Sequence, residues 1–108
     1  VDREEAHMAI EVALQDERGK FLRMVHDSRN LMPKLLERSL AKEPLLAEID
    51  WYGDTIFNRM QMPRFLTAWR EVASLAQSDE EAEFVNEIKV LAEECEGNAH
   101  LYLKFIGD

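Results

Sequence analysis

Cysteine, glycine and basic residues are all scarce in this chain, and each shortage removes a class of function. A single cysteine, Cys95, rules out an intrachain disulfide. No Cys-x-x-Cys pair or Cys/His cluster is present, so a structural zinc site is not expected. With four glycines in all, there is no P-loop and no G-x-G-x-x-G fingerprint, which argues against nucleotide-dependent chemistry. The zinc-protease H-E-x-x-H and the nucleophile-elbow G-x-S-x-G are missing too. No apolar run approaches the roughly 18–20 residues of a membrane span. Thirteen Lys and Arg stand against 22 Asp and Glu, a net charge of −9. Phosphate-bearing partners would be repelled, so neither nucleic acid nor an anionic membrane is an expected partner.

What remains is an ordinary globular composition. Apolar residues make up 46% of the chain, enough for a core without disulfides or metal. The 108 residues fit one domain, placed at 8–108. Residues 1–7 are charged and are expected to be a flexible extension or a cloning remnant, with Met8 a candidate start. One unpaired cysteine and no signal peptide at the N-terminus point to a bacterial or other cytoplasm.

Residues 8–26 predict a β-hairpin. Ile10, Val12 and Leu14 alternate with Glu11, Ala13 and Gln15, and Asp16-Glu17-Arg18-Gly19 supplies a turn with Gly19 in the left-handed position. A helix over 3–15 is the competing reading. Asp27, Ser28 and Asn30 can each cap a helix carrying Leu31, Leu35, Leu36 and Leu40, which Pro44 ends. Asp54 is read as the cap of a helix over 55–76, broken by Pro63 near Gln61-Met62. Ser78 and Glu81 form a capping box for a helix holding Phe84, Val85, Ile88, Leu91, Ala92 and Cys95, stopped by Gly97-Asn98. Residues 100–106 predict a last strand with Leu101, Leu103 and Phe105 inward. The expected fold is α+β. A small antiparallel sheet (N-terminal hairpin plus C-terminal strand) frames three or four helices, in the order β-β-α-α-α-β.

The charge is not spread evenly. Residues 78–97 carry eight acids against Lys89 alone, which is −7 of the −9. A solvated helix face is the plain explanation; a surface for a basic protein is the functional one.

The densest mixture of functional groups is Asp50-Trp51-Tyr52-Gly53-Asp54-Thr55-Ile56-Phe57-Asn58-Arg59-Met60-Gln61. On a helix, Asp54, Asn58 and Gln61 would share one face and Asp50 would stand beside them, an oxygen-rich group able to take Mg²⁺ or Ca²⁺ or to work as acid and base. The plain alternative gives Asp54 a capping role, Asp50 a turn with Gly53, and Asn58 and Gln61 backbone bonds. Trp51 and Tyr52, in a loop, are lids over the core or interface anchors; Phe65 and Trp69 belong to the core. Cys95 is expected to be a buried small hydrophobe. His7, His26 and His100 are far apart in sequence, though His26 and His100 approach each other if the first and last strands are neighbours.

This stretch resembles a D-x-Y-G-D-T-x-F-N-x-x-Q signature of small bacterial proteins with no established activity. The ending Tyr102-Leu103-Lys104-Phe105-Ile106-Gly107-Asp108 resembles their Y-L-x-F-I-G-D terminus. The resemblance covers most of 8–108. It implies a bacterial source and a whole domain, carries over no catalytic residue, and suggests that Asp54 and Asp108 be considered together.

The leading expectation is a non-enzymatic acidic protein-interaction domain for a basic partner, immunity- or antitoxin-like by analogy. Its binding residues would be Trp51, Tyr52, Asp54, Asn58, Gln61 and Asp108, with no catalytic residue, metal or cofactor. The alternative is a small metal-binding protein or hydrolase using Asp50, Asp54 and Asp108, with Asn58 and His100 in support. A homodimer through a strand edge or the aromatic loop is a third.

Overall fold

A computed structural model describes residues 10–39 and 44–107. Strands β1 (Glu11–Asp16) and β2 (Phe21–His26) form the expected hairpin. The Asp16 carboxylate accepts from the Arg18 and Lys20 backbone N–H groups, each at 2.9 Å, and Gly19 takes φ +84°. Those N–H bonds, Lys20's first, hold the Asp16 carboxyl below its usual value. Strand residues 11–15 exclude a helix there; the rest of the competing 3–15 helix, the 1–7 extension and Met8 lie outside the described residues.

Helix α1 (Leu31–Ser39) starts on Asp27, one of the three caps foreseen. Its carboxylate accepts from the N–H of Leu31 at 2.6 Å and of Met32 at 2.8 Å. Pro44 opens a separate segment, the four-residue helix α2 (Pro44–Ala47), because its missing N–H costs nothing in a first turn. Leu40 lies outside the described residues.

The helix expected over 55–76 is corrected in its first part. Asp54–Asn58 is a strand, β3; Arg59–Gln61 is one 3-10 turn; helix α3 runs Met62–Ser74. Pro63 sits in the first turn of α3, the position it tolerates, so the foreseen break is where the helix begins. Thr55-Ile56-Phe57 is a β-branched and aromatic run, and the last strand has a free edge for it to pair with. Phe57 reaches the core through strand alternation, with Asp54, Ile56 and Asn58 exposed on the other face.

Helix α4 (Asp79–Glu96) is capped by Ser78 Oγ, which accepts from Glu81 N at 3.1 Å. Strand β4 (Leu101–Ile106) alternates as expected, with Leu101, Leu103 and Phe105 buried. The sheet order is β2-β1-β4-β3, antiparallel throughout. The fold is thus the anticipated α+β domain, with a fourth strand added between the helices. Val12, Leu14, Phe57, Leu103 and Phe105 face α3 and α4 in one core. At its centre Phe65 lies between Phe57, Phe105 and Trp69, with ring centroids 5.4–5.9 Å apart. The Trp69 indole N–H donates to the Val85 carbonyl at 3.0 Å, tying α3 to α4.

Candidate functional site

The 50–61 segment turns out to be a closed junction. Asp50 Oδ1 accepts from the Tyr52 N–H at 2.9 Å, and the Asp50 N–H donates to Thr55 Oγ1 at 2.8 Å. This turn delivers the chain into β3, which pairs with β4 in the register Asp54–Ile106. The ladder continues one residue further: the Gly107 N–H donates to the Gly53 carbonyl at 2.6 Å. A β-carbon at Gly107 would lie 2.5 Å from the Gly53 oxygen and 2.7 Å from the Asp50 carbonyl oxygen. Only glycine allows the two backbones to come this close. The two motifs therefore do meet, backbone against backbone. Asp108 itself lies outside the described residues.

The side chains expected to line one helix face are divided by the strand. Asp54 points to the open face of the sheet, with its carboxylate 3.4 Å from Lys104 Nζ. Asn58 and Gln61 satisfy each other: Asn58 Oδ1 accepts from Gln61 N at 3.1 Å, and Gln61 Oε1 accepts from Asn58 N at 2.8 Å. That reciprocal cap closes the 3-10 turn. Trp51 is half-buried and packs on the core as a lid, whereas Tyr52 is 74% exposed. The Arg59 guanidinium donates to the Glu96 carbonyl at the end of α4, at 3.2 Å.

His7 lies outside the described residues, and His26 and His100 do not converge. His26 pairs with Glu11 at 2.6 Å, and His100 pairs with Glu17. β1 and β4 are indeed neighbours, but their register (Glu11 opposite Ile106, Asp16 opposite Leu101) puts the two histidines at opposite ends of the sheet. Cys95 is buried with its thiol 3.5 Å from the Leu101 carbonyl, and burial pushes that thiol up to about 11. At neutral pH it is no nucleophile. Among the described residues, no three His, Cys, Asp or Glu side chains gather as a metal-binding group, and no helix is long and apolar enough to cross a membrane.

Charge and concavity coincide elsewhere, between β2 and α4. Arg29, just after β2, pairs with Glu80 at the start of α4; Arg23, early in β2, pairs with Glu94 near its end at 3.2 Å. The helix therefore runs antiparallel to the strand. Glu80, Glu83, Glu87, Val90 and Glu94 follow one another at steps of three or four residues, a single stripe along α4 beside β2. Two adjoining clefts lie on this line. One, of about 210 Å³, is bordered by Arg29, Leu31, Glu80, Glu83 and Glu87. The other, of about 460 Å³, is bordered by Val25, His26, Glu87, Val90 and Leu91. Lys89, the one base of α4, lies on another side of the helix, in a cleft with Trp69 and Arg70.

Glu81 is the acid of α4 that turns inward. Its carboxylate accepts from Arg38 Nη1 at 2.6 Å and Nη2 at 3.0 Å, and from the Gln77 N–H at 2.8 Å. The second half of the expected capping box is thus diverted: Glu81 serves Gln77 and Arg38. The Arg38 fork, then the Gln77 bond, hold Glu81 down at about 2. Sequence reasoning missed both Arg38–Glu81 and the β2–α4 clefts, although the acidic stripe was visible as a second period behind the apolar one.

No protein-family model, no curated protein and no solved structure matches this chain.

Proposed function

We propose that this chain is a non-enzymatic, acidic protein-interaction domain that binds a basic protein partner, in the manner of immunity or antitoxin-like proteins by analogy. The observation that carries this reading is the fate of the acids on α4. Arg38, Arg29 and Arg23 engage Glu81, Glu80 and Glu94. Glu83 and Glu87, exposed on the same stripe, have no ion-pair partner among the described residues. Unpaired carboxylates held on a rigid helix beside a cleft raise the local concentration of a cationic partner and orient its approach. The polar groups of the 50–61 junction, by contrast, are turned to internal work.

The test is affinity chromatography of a host extract on the immobilised chain and on its Glu83→Lys/Glu87→Lys variant, at about 0.05 M and about 0.5 M salt. A basic protein retained by the native chain, and lost both on the variant and at high salt, is the expected result. Identical bound fractions on both columns would sink the proposal.

A further inference from the structure

Resting on that reading, we infer that the basic partner enters as an extended segment that adds to the free edge of β2 and lays alternate Lys or Arg side chains along Glu83 and Glu87 of α4. β2 has β1 on one side and, among the described residues, no strand on the other. Edge strands are usually blunted by a bulge, a charge or a cover. Here the irregularity is confined to the start of β2, where Leu22 is skipped between Gln15–Phe21 and Leu14–Arg23. From Arg23 to His26 the pairing is regular, and this is the part that borders the clefts. Its backbone can therefore template another strand.

The side chains fit the same occupant. An added strand projects every second residue toward α4, at intervals of about 6.6 Å. Glu83 and Glu87 are four residues apart on the helix, about 6 Å along its axis. Two alternate cations of a strand can thus meet two successive carboxylates. The next inward position falls beside Val25, Val90 and Leu91, which calls for an apolar residue. Val90 is 37% exposed, although beside it in the same cleft Val25 is half-buried and Leu91 is only 2% exposed. A second copy of this chain is disfavoured at the same edge, since β2-to-β2 pairing would set two acidic helices toward one another.

The probe is the capped peptide Thr-Val-Thr-Lys-Thr-Lys-Thr, titrated into the full chain and followed by amide chemical shifts. Shifts confined to Arg23–Asp27 and Glu80–Leu91 are expected. Affinity should fall at least about tenfold for Glu83→Lys/Glu87→Lys, whose surface positions leave the fold intact. It should fall similarly when the peptide's edge-facing amides are N-methylated, which removes ladder bonds and leaves the charge. Equal binding of the N-methylated peptide would overturn strand addition. Shifts on another face would overturn this groove while leaving the basic-partner reading standing. Absence of any binding by the lysine peptide at low salt would overturn strand addition, as would self-association through β2, and the affinity columns decide the basic-partner reading separately.

Discussion

The 50–61 junction and the β2–α4 groove are opposites in how they use polar groups. At the junction, Asp50 closes a turn, Asn58 and Gln61 cap each other, Asp54 sits by Lys104, and Gly107 docks on Gly53. In the groove, arginines engage some acids and leave Glu83 and Glu87 over. A conspicuous sequence can therefore be a structural device, and a plain acidic helix can hold the surplus from which binding is made. The contrast follows from geometry. Backbone that changes direction has N–H and C=O groups to satisfy, and it recruits nearby Asp, Asn and Gln to do so. A regular helix satisfies its own backbone, so its outward acids are free for something else.

The contrast can be broken most severely at the junction. Gly107→Ala forces a β-carbon onto backbone atoms that cannot step aside, and should cost about 2–3 kcal/mol in denaturant unfolding. Gly53→Ala should cost less, because its nearest obstacle is the Asp50 side chain. Peptide binding in the groove should survive both wherever the protein remains folded. The next effect lies under the groove, on the inward face of the same helix. Unfolded, Glu81 takes up a proton near pH 4.5; folded, it does so only near 2. Its contribution is whole above 4.5 and is lost as acid carries the pH down through that interval. Glu81→Gln should therefore lower the thermal midpoint at neutral pH, and the gap to the native chain should close across the same window. Asn58→Ala removes one half of a reciprocal cap, and a loss of about 1 kcal/mol in chemical denaturation is expected. Least of all in stability, Glu83→Lys/Glu87→Lys should change unfolding free energy by no more than about 0.5 kcal/mol. A large loss there would show that those acids support the fold, and the contrast between the two regions would collapse.

Much of the fold was legible because local signals agreed with it. The hairpin carried its own turn, with Asp16 and Gly19 in place, and the α4 start carried Ser78. The last strand alternated cleanly, with Leu101, Leu103 and Phe105 inward. Residues 54–58 were misread for a reason of scale. Five residues are too few for a period of 2 to be told from one of 3.6, and Asp54 is as good a helix cap as it is a strand residue. The candidate site suffered the same ambiguity. Asp54, Asn58 and Gln61 gather only if the segment is helical; as a strand followed by a turn, it spends each of them separately.

The α+β class, the hairpin, the acidic helix and the core positions could be read from the residues in order, because each rests on contacts within a few residues or on a repeating apolar pattern. Only the packing of the whole chain makes 54–58 a strand, brings Arg38 to Glu81 from 43 residues away, and lays α4 antiparallel to β2 so that its acids border an edge that no other described strand covers. Those outcomes depend on which surfaces meet when the core closes. The pairing of β3 with β4, and of Glu81 with Arg38, is settled by burial and by the hydrogen bonds it demands, not by any preference of the residues taken alone.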